Sequence, residues 1–341
     1  MIQPGAETPR PLGYVPALDG LRALAVALVI AFHYTGAPLG GPYGVDLFFV
    51  LSGFLITTLL LEERAARGSV DLANFYLRRA RRLFPALAVM LVAYLVYNAA
   101  LGRDALATVA DHGLYFGNIY FVVTHGADNG LGHLWSLAEE EQFYLVWPPL
   151  LLLLARARRP LYWVVALLLC LMLYRGFLIL DGASMTRLYR APDAHSEGLV
   201  LGAVLAFLRR RGFVAGEWAG KLGVALVVPP IVAGIWSVGL PTFELGSFLL
   251  IAAAVGETEI AGWLSAKPLV WIGTLSYSLY LWHEPVVWAF HRHDRLVALA
   301  LSLVCAWLSY RYVEQPLRRR RQDGMETAPA VSAAAAQYHD V

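Results

Sequence analysis

An arginine and a histidine within one apolar stretch are the first candidates for chemistry in this sequence. Arg22 and His33 lie 11 residues apart in LDGLRALAVALVIAFHY, residues 18–34. At about 100° per residue this spacing puts both side chains on one helix face, ~16 Å apart along the axis. Ionisable side chains in such a segment usually face a polar interior. His33 could therefore act as a general base near neutral pH, whereas Arg22 could also simply extend its charge to the membrane surface.

A carboxylate close to His33 in the sequence could orient its ring. Asp46 begins the apolar stretch GVDLFFVLSGFLIT at 44–57, one short turn after His33. A carboxylate in this position can fix the tautomer of a catalytic histidine, as in a triad. Asp46 can also be explained without a function, because a helix N-terminus favours a negative charge.

Three adjacent glutamates follow in HLWSLAEEEQFYLVWP, residues 133–148. Ser136 and Glu139 have the spacing of a capping box, which predicts Ser136 as the N-cap of a helix. Glu140 and Glu141 would then be carried into the helix, where burial is costly unless the carboxyl group is paired or protonated. We expect one of these two glutamates to face His33.

Two arginines three residues apart form a candidate anion site in NFYLRRARRLFPA, residues 74–86. Arg79 and Arg82 share one face of a helix, and arginine binds phosphate through two parallel hydrogen bonds. A patch that contacts lipid phosphates is the alternative interpretation. His133, His195, His283 and Glu284 also lie in or beside apolar stretches, but the sequence assigns them no definite role.

The composition predicts an all-α, polytopic membrane protein. Of the 341 residues, 58% are hydrophobic and 15% are charged, and the mean hydropathy is +0.56. A soluble domain is closer to 25% charged. Apolar segments long enough to cross a bilayer recur along the chain. We predict ten spans, at about 18–37, 44–62, 83–101, 138–155, 160–180, 191–208, 220–239, 245–259, 268–290 and 296–314.

The arginine clusters set the orientation of these spans. With ten spans and a cytoplasmic N-terminus, every cluster lies on the cytoplasmic side, as the positive-inside rule requires. A further crossing by the polar segment 104–124 would move the later clusters outside. We therefore expect 104–124 to be a re-entrant or interfacial helix on the outer side.

The chain ends and the cysteines complete the predicted organisation. Residues 1–16 are expected to be a cytoplasmic segment without a cleaved signal peptide, 17–321 the membrane domain, and 322–341 a disordered tail. Cys170 and Cys305 lie in apolar runs and are expected to be small buried side chains. The sequence predicts neither a disulfide nor a metal site.

Six stretches in order resemble the acyltransferase-3 family of integral membrane acyltransferases. They are LDGLRALAVALVIAFHY, GVDLFFVLSGFLIT, FYLRRARRLFPAL, HLWSLAEEEQFYL, SYSLYLWHEP and VEQPLRR, and together they cover about residues 15–320. The family includes bacterial O-antigen and peptidoglycan O-acetyltransferases and macrolide O-acyltransferases. The resemblance implies transfer of an acyl group, commonly acetyl, from acyl-CoA to a carbohydrate-type hydroxyl, with no permanently bound cofactor.

The resemblance also implies roles for particular residues. The family pattern Arg-x10-His falls on Arg22 and His33, and Arg-x-x-Arg falls on Arg79 and Arg82. Trp-Ser-Leu and Glu-Glu-Gln-Phe-Tyr fall on 135–137 and 140–144, while Glu139 stands where a small apolar residue is usual. The resulting candidates are catalytic His33, Asp46, Glu140 and Glu141, and donor-binding Arg22, Arg79 and Arg82.

We expect a multi-pass protein of the plasma or inner membrane whose partners are acyl-CoA, a carbohydrate-type acceptor and the bilayer, with no nucleic acid. In the expected mechanism, Arg79 and Arg82 hold the CoA phosphates and the pantetheine arm passes Arg22. His33, held by Asp46 or Glu140, then deprotonates the acceptor hydroxyl. The favoured acceptor is a cell-envelope glycan. A macrolide or other natural product, and the unrelated activity of a proton-coupled transporter, remain the alternatives.

Overall fold

The computed structural model of the chain describes residues 11–35, 41–124, 129–234, 236–290 and 294–317. The first ten residues, most of the turn 36–44 and the predicted tail 322–341 lie outside these ranges. Within them the regular structure is helical, which confirms the predicted all-α class.

The described residues form sixteen α-helices followed by a short π-helical turn at Tyr310–Glu314. In chain order the helices are α1 (Pro16–Thr35), α2 (Gly41–Arg67), α3 (Leu72–Ala100), α4 (Leu106–Gly113), α5 (Gly117–Thr124), α6 (Leu134–Leu154), α7 (Pro160–Leu180), α8 (Met185–Arg190), α9 (Pro192–His195), α10 (Glu197–Arg210), α11 (Glu217–Ala233), α12 (Trp236–Ala254), α13 (Glu259–Leu264), α14 (Lys267–Thr274), α15 (Ser276–Ala289) and α16 (Arg295–Ser309).

Five helical segments in the described ranges are long and apolar enough to cross a membrane. They are Pro16–Thr35, Tyr43–Arg67, Leu72–Ala100, Pro160–Leu180 and Arg295–Leu317. The protein is therefore a membrane protein, but the predicted count of ten spans is not confirmed. Segment 104–124 forms α4 and α5, each only eight residues or ~12 Å long and too short for a crossing.

Several predicted boundaries differ from the structure. Helix α3 begins at Leu72 and not near residue 83, and the Asp71 carboxylate before it accepts a 2.9 Å hydrogen bond from the Asn74 amide. Arg79 and Arg82 therefore lie on the same helix as the predicted span. These Asn74 hydrogen bonds hold the pKa of Asp71 below its usual value. The predicted span 268–290 is divided into α14 and α15 at Leu275.

The prediction that both cysteines are buried is wrong for Cys170, which is exposed on α7.

The core of the bundle forms where α1, α2 and α10 pack closely. Val50, Phe54 and Ala203 are completely buried there. A Cβ atom added to Gly53 of α2 would lie 1.8 Å from the Leu199 carbonyl oxygen of α10. Gly202 of α10 approaches α2 in the same way, since its added Cβ would lie 2.0 Å from a backbone oxygen. Glycine at these two positions thus allows the backbones of α2 and α10 to approach closely.

Glycines also bring α1 against α13 and α14, and α14 directly precedes α15. An added Cβ at Gly20 would lie 2.0 Å from the Leu264 carbonyl oxygen, and one at Gly273 would lie 1.9 Å from the Asp19 carbonyl oxygen. These contacts leave no space for a side chain. They position α1 beside the α14–α15 pair, and thereby bring His33 close to residues of α15.

The Gly53 contact predicts a large loss of stability on substitution. Gly53→Ala should destabilise the protein by about 1–3 kcal/mol, because the backbones of α2 and α10 would have to separate. Gly176→Ala is the matched control: an added Cβ there meets nothing within 4 Å on α7. The control should be neutral or slightly stabilising, because alanine is the better helix former. The melting temperatures of both variants in detergent can be measured by heating samples and quantifying the remaining folded protein by size-exclusion chromatography. Equal melting temperatures of the two variants would contradict the packing argument.

Candidate active site

Arginines from two helices converge on one cleft. Arg22 of α1 and Arg79 and Arg82 of α3 all line one cleft, whose space of about 790 Å³ includes its opening to the surroundings. The Arg22 guanidinium donates a 2.8 Å hydrogen bond to Asp19, which also accepts one from the Tyr14 hydroxyl at 2.9 Å. Arg22 is therefore held in the N-terminal half of α1 by a carboxylate, and the structure brings it together with the predicted Arg-x-x-Arg pair.

Glu140 and Glu141, one of which was expected to face His33, both line this cleft, whose lining does not include His33. Glu140 accepts hydrogen bonds from the hydroxyl groups of Ser52 and Tyr144. Arg79 lies over the Tyr144 ring, with its guanidinium carbon 4.1 Å from the ring centre. The cleft thus contains three cations and two carboxyl groups, and is built for a ligand with several polar and anionic groups rather than for a purely apolar one.

His33 lies in a separate cluster of three histidines around Glu284. Its Nε2 is 3.4 Å from Glu284 Oε2, and the Nδ1 of His133 lies 3.1 Å from the same oxygen. The His133 backbone amide also donates to that oxygen at 2.8 Å. The ring of His283 packs against those of His33 and His133, with centroid distances of 4.8 and 4.9 Å. The Glu284 carboxylate therefore lies at the N-terminus of α6, which favours a negative charge.

The ring orientation of His33 identifies its basic nitrogen. Nδ1 lies 2.9 Å from the Val29 carbonyl oxygen. Because a carbonyl oxygen can only accept, Nδ1 carries the proton and Nε2 of the neutral ring holds the lone pair. The His33 side chain is 23% exposed, whereas that of Glu284 is 6% exposed. His33 can thus contact both a substrate from outside the bundle and a buried carboxylate.

Tyr280 and Ser136 separate the cleft from the histidine cluster. Both residues line the cleft, and their hydroxyl oxygens are 2.5 Å apart. The Tyr280 hydroxyl donates to the His133 carbonyl oxygen at 2.7 Å. The Tyr280 ring packs against His133 and His283, with centroid distances of 5.3 and 5.5 Å. One layer of side chains therefore divides a cationic cleft from a histidine–carboxylate pair.

His112 lies beside this cluster on the short helix α4. Burial lowers the pKa of its ring, and the positive charge that His133 can carry lowers it further, whereas Glu284 acts in the opposite direction. Its Nδ1 lies 2.8 Å from the Thr108 carbonyl oxygen. The segment 104–124 thus contributes a neutral histidine to the surroundings of the site.

The predicted pairing of Asp46 with His33 is wrong. Asp46 Oδ1 lies 2.9 Å from Nε2 of His195, and both side chains are completely buried. The carboxylate beside His33 is Glu284 of α15, so neither Asp46 nor Glu140 holds the ring in place. The short turn that follows His33 suggested Asp46, but the approach of α15 to α1 supplies the partner.

Glu139 lies with Asp46 and His195 in a second, buried network of polar side chains. Its carboxylate accepts a 3.3 Å hydrogen bond from Ser196 and lies 3.9 Å from Nδ1 of His195. The capping-box prediction is also wrong, since α6 begins at Leu134 and the Ser136 hydroxyl contacts other partners. Side chains of consecutive helix residues point about 100° apart. The Glu139 side chain therefore points away from the cleft that Glu140 and Glu141 line.

The sequence reasoning left Tyr280, His283 and Glu284 without a role, although their spacing carries a signal. These three residues lie at i, i+3 and i+4 on α15, which is the spacing of one helix face. A polar stripe with this spacing in an apolar helix indicates a polar interior. Nothing in the sequence, however, indicates that this stripe faces His33.

Comparisons with known proteins show what this chain is similar to. A family model described as an acyltransferase domain matches residues 15–311. The peptidoglycan O-acetyltransferase OatA of Listeria monocytogenes is 32% identical, over 90% of this chain and 56% of that protein. The O-acetyltransferase OatA of Staphylococcus aureus is 33% identical, over 90% of this chain and 58% of that protein. The chain therefore spans little more than half the length of these curated relatives. No solved structure matches the chain.

The second network predicts a structural role for Asp46. Asp46→Ala should reduce stability by about 3–5 kcal/mol, because it removes the partner of a completely buried histidine. Asp181→Ala, at the exposed C-terminal end of α7, is the control and should change stability by less than about 0.5 kcal/mol. Thermal unfolding of both variants is the measurement. A stable Asp46→Ala protein that had lost only its activity would instead support the catalytic role predicted from the sequence.

Proposed function

The chain belongs to the acyltransferase-3 family of membrane acyltransferases, and from this membership we propose that it transfers an acyl group, chiefly acetyl, from acyl-CoA to a hydroxyl group of a cell-envelope glycan. The O-acetyltransferase names of the similar proteins support the glycan acceptor. The observation that carries the proposal is the cationic cleft separated by one layer of side chains from the His33–Glu284 pair.

The cleft is the proposed donor site. Arg79 and Arg82 are half-buried on α3 and can bind the phosphates of CoA, for which the guanidinium group is well suited. Arg22 lines the same cleft. The thioester end of the donor would lie beside Ser136 and Tyr280, and the Ser136 hydroxyl can rotate to donate to its carbonyl oxygen as negative charge develops there.

His33 is the proposed general base. Its Nε2 accepts the proton of the acceptor hydroxyl, and the resulting alkoxide oxygen attacks the thioester carbon. The carbon–sulfur bond then breaks, and the CoA thiolate takes the proton from the His33 imidazolium. Glu284, 3.4 Å away, stabilises that imidazolium while it exists. Asp46 has no part in this scheme, since it contacts His195.

The orientation follows from the same arrangement. We place the arginine-lined end of the cleft and both chain termini on the cytoplasmic side of the plasma or inner membrane, where CoA is available and where the positive-inside rule puts arginine clusters. The partly exposed His33 then faces the opposite side, where an envelope glycan would reach it. The bilayer, acyl-CoA and this acceptor are the proposed partners.

The base assignment predicts a loss of turnover without a loss of folding. His33→Ala should reduce kcat about 10²- to 10⁴-fold, and Glu284→Gln should reduce kcat with little change in the KM of the donor. Leu24→Ala, at an exposed position on the same helix, is the control. Release of CoA thiol from acetyl-CoA by the purified protein, with a peptidoglycan-derived glycan as acceptor, is the measurement. Full activity of folded His33→Ala would refute the assignment.

The donor site makes an independent prediction. Arg79→Ala/Arg82→Ala should weaken acetyl-CoA binding about 100-fold, because two charge-assisted contacts with phosphate are lost. Arg156→Ala/Arg158→Ala removes two exposed arginines near the end of α6 and should leave binding unchanged. Calorimetric titration of the purified proteins in detergent compares them. Failure of the folded wild-type protein to bind any acyl-CoA would contradict the enzyme proposal and favour the transport alternative.

A further inference from the structure

The histidine cluster has an unusual arrangement of acceptor atoms. His33 Nδ1 and His283 Nδ1 lie 2.9 and 2.6 Å from carbonyl oxygens of their own helices, those of Val29 and Tyr280. Both Nδ1 atoms must therefore carry protons, which leaves lone pairs on the Nε2 atoms. Histidines that bind metals are commonly held in this way, with the second ring nitrogen donating to a carbonyl oxygen.

These acceptors face one another around a carboxylate. A ring nitrogen of His33, a ring nitrogen of His283 and a carboxylate oxygen of Glu284 all lie within 4.8 Å of one another. His283 is completely buried, and its Nε2 has no hydrogen-bond partner among the residues that the structure describes. Lone pairs directed at a buried carboxylate repel it, and a bound cation relieves that repulsion.

The geometry is close to that of a transition-metal site. In a tetrahedral site with bonds of ~2.0–2.1 Å, neighbouring ligand atoms are ~3.4 Å apart. The 3.4 Å between His33 Nε2 and Glu284 Oε2 already has this value. Only the His283 ring would have to move closer, by up to ~1.4 Å, to complete the set. Partial exposure of His33 provides a route of entry for the ion.

We propose that His33, His283 and Glu284 bind a divalent transition-metal ion of the zinc type. Two imidazoles and one carboxylate favour such ions over Mg²⁺ or Ca²⁺, which prefer oxygen ligands. His133 Nδ1, 3.1 Å from Glu284 Oε2, lies next to the site as a fourth donor. This site was not expected from the sequence, because its ligands come from two helices more than 240 positions apart in the chain.

The proposed metal site has a functional consequence that rests on the proposed function. The ion occupies the His33 Nε2 lone pair, which is the same lone pair that deprotonates the acceptor. Metal binding and base catalysis therefore exclude each other, and the ion is an inhibitor of acyl transfer. Metal binding itself does not depend on the enzyme proposal.

The test uses the full-length protein in detergent, stripped with a chelator and loaded with Zn²⁺ or with Co²⁺ alone. Metal content per chain, and the visible absorption of tetrahedral Co²⁺, report binding without any assay of activity. His283→Gln removes one proposed ligand, and His195→Gln is the control, since it alters an equally buried histidine in the second network. Each variant must elute as a single folded species. If His283→Gln does not fold, Glu284→Gln, which alters another proposed ligand, takes its place.

We expect one ion per chain in the wild type and in His195→Gln, and at least about 100-fold weaker binding in His283→Gln. Zn²⁺ should inhibit acyl transfer by the wild type, whereas the acyl transfer that His283→Gln carries out should be insensitive to Zn²⁺. Absence of binding to the wild type, or undiminished binding to His283→Gln, would overturn the proposal. Binding without any detectable acyl transfer would leave the metal site standing and count against the proposed function alone.

Discussion

The buried carboxylate of Glu284 is the interaction on which the candidate active site depends. In an apolar bundle a buried carboxylate needs polar partners, and Glu284 accepts a hydrogen bond from the His133 amide and lies within 3.4 Å of ring nitrogens of His33 and His133. These groups belong to α1, the start of α6 and α15, so one charge connects three helices.

The helix packing that supports this interaction is made possible by glycine. Gly20 and Gly273 allow α1 to approach the helices around α14 at backbone distance, and Gly53 and Gly202 do the same for α2 and α10. Such contacts gain dispersion energy that is unavailable to bulky side chains in lipid. They also fix the rotation of each helix, which determines whether a polar residue faces the interior or the bilayer. The site therefore depends on residues that carry no chemical groups of their own.

The acidic residues are divided between two networks by small differences in direction. Glu139 points to His195, where Asp46 also lies, whereas its neighbour Glu140 points into the cleft and accepts from Ser52 and Tyr144. A rotation of about 100° between consecutive residues is enough to separate them. One network is completely buried and stabilises the bundle, and the other is open to a ligand. The separation explains how three adjacent glutamates can serve different purposes.

The sequence by itself determined the helical class, the Arg22–His33 face and the Arg79–Arg82 pair, because these depend on composition and on the period of a single helix. The tertiary structure decided the partners: Glu284 for His33, His195 for Asp46, and the layer of Ser136 and Tyr280 between cleft and cluster. It also divided the predicted span 268–290 into two helices. Periodicity fixes which residues share a face, but the partner across an interface depends on how helices distant in the chain rotate and pack, and no local pattern contains that information.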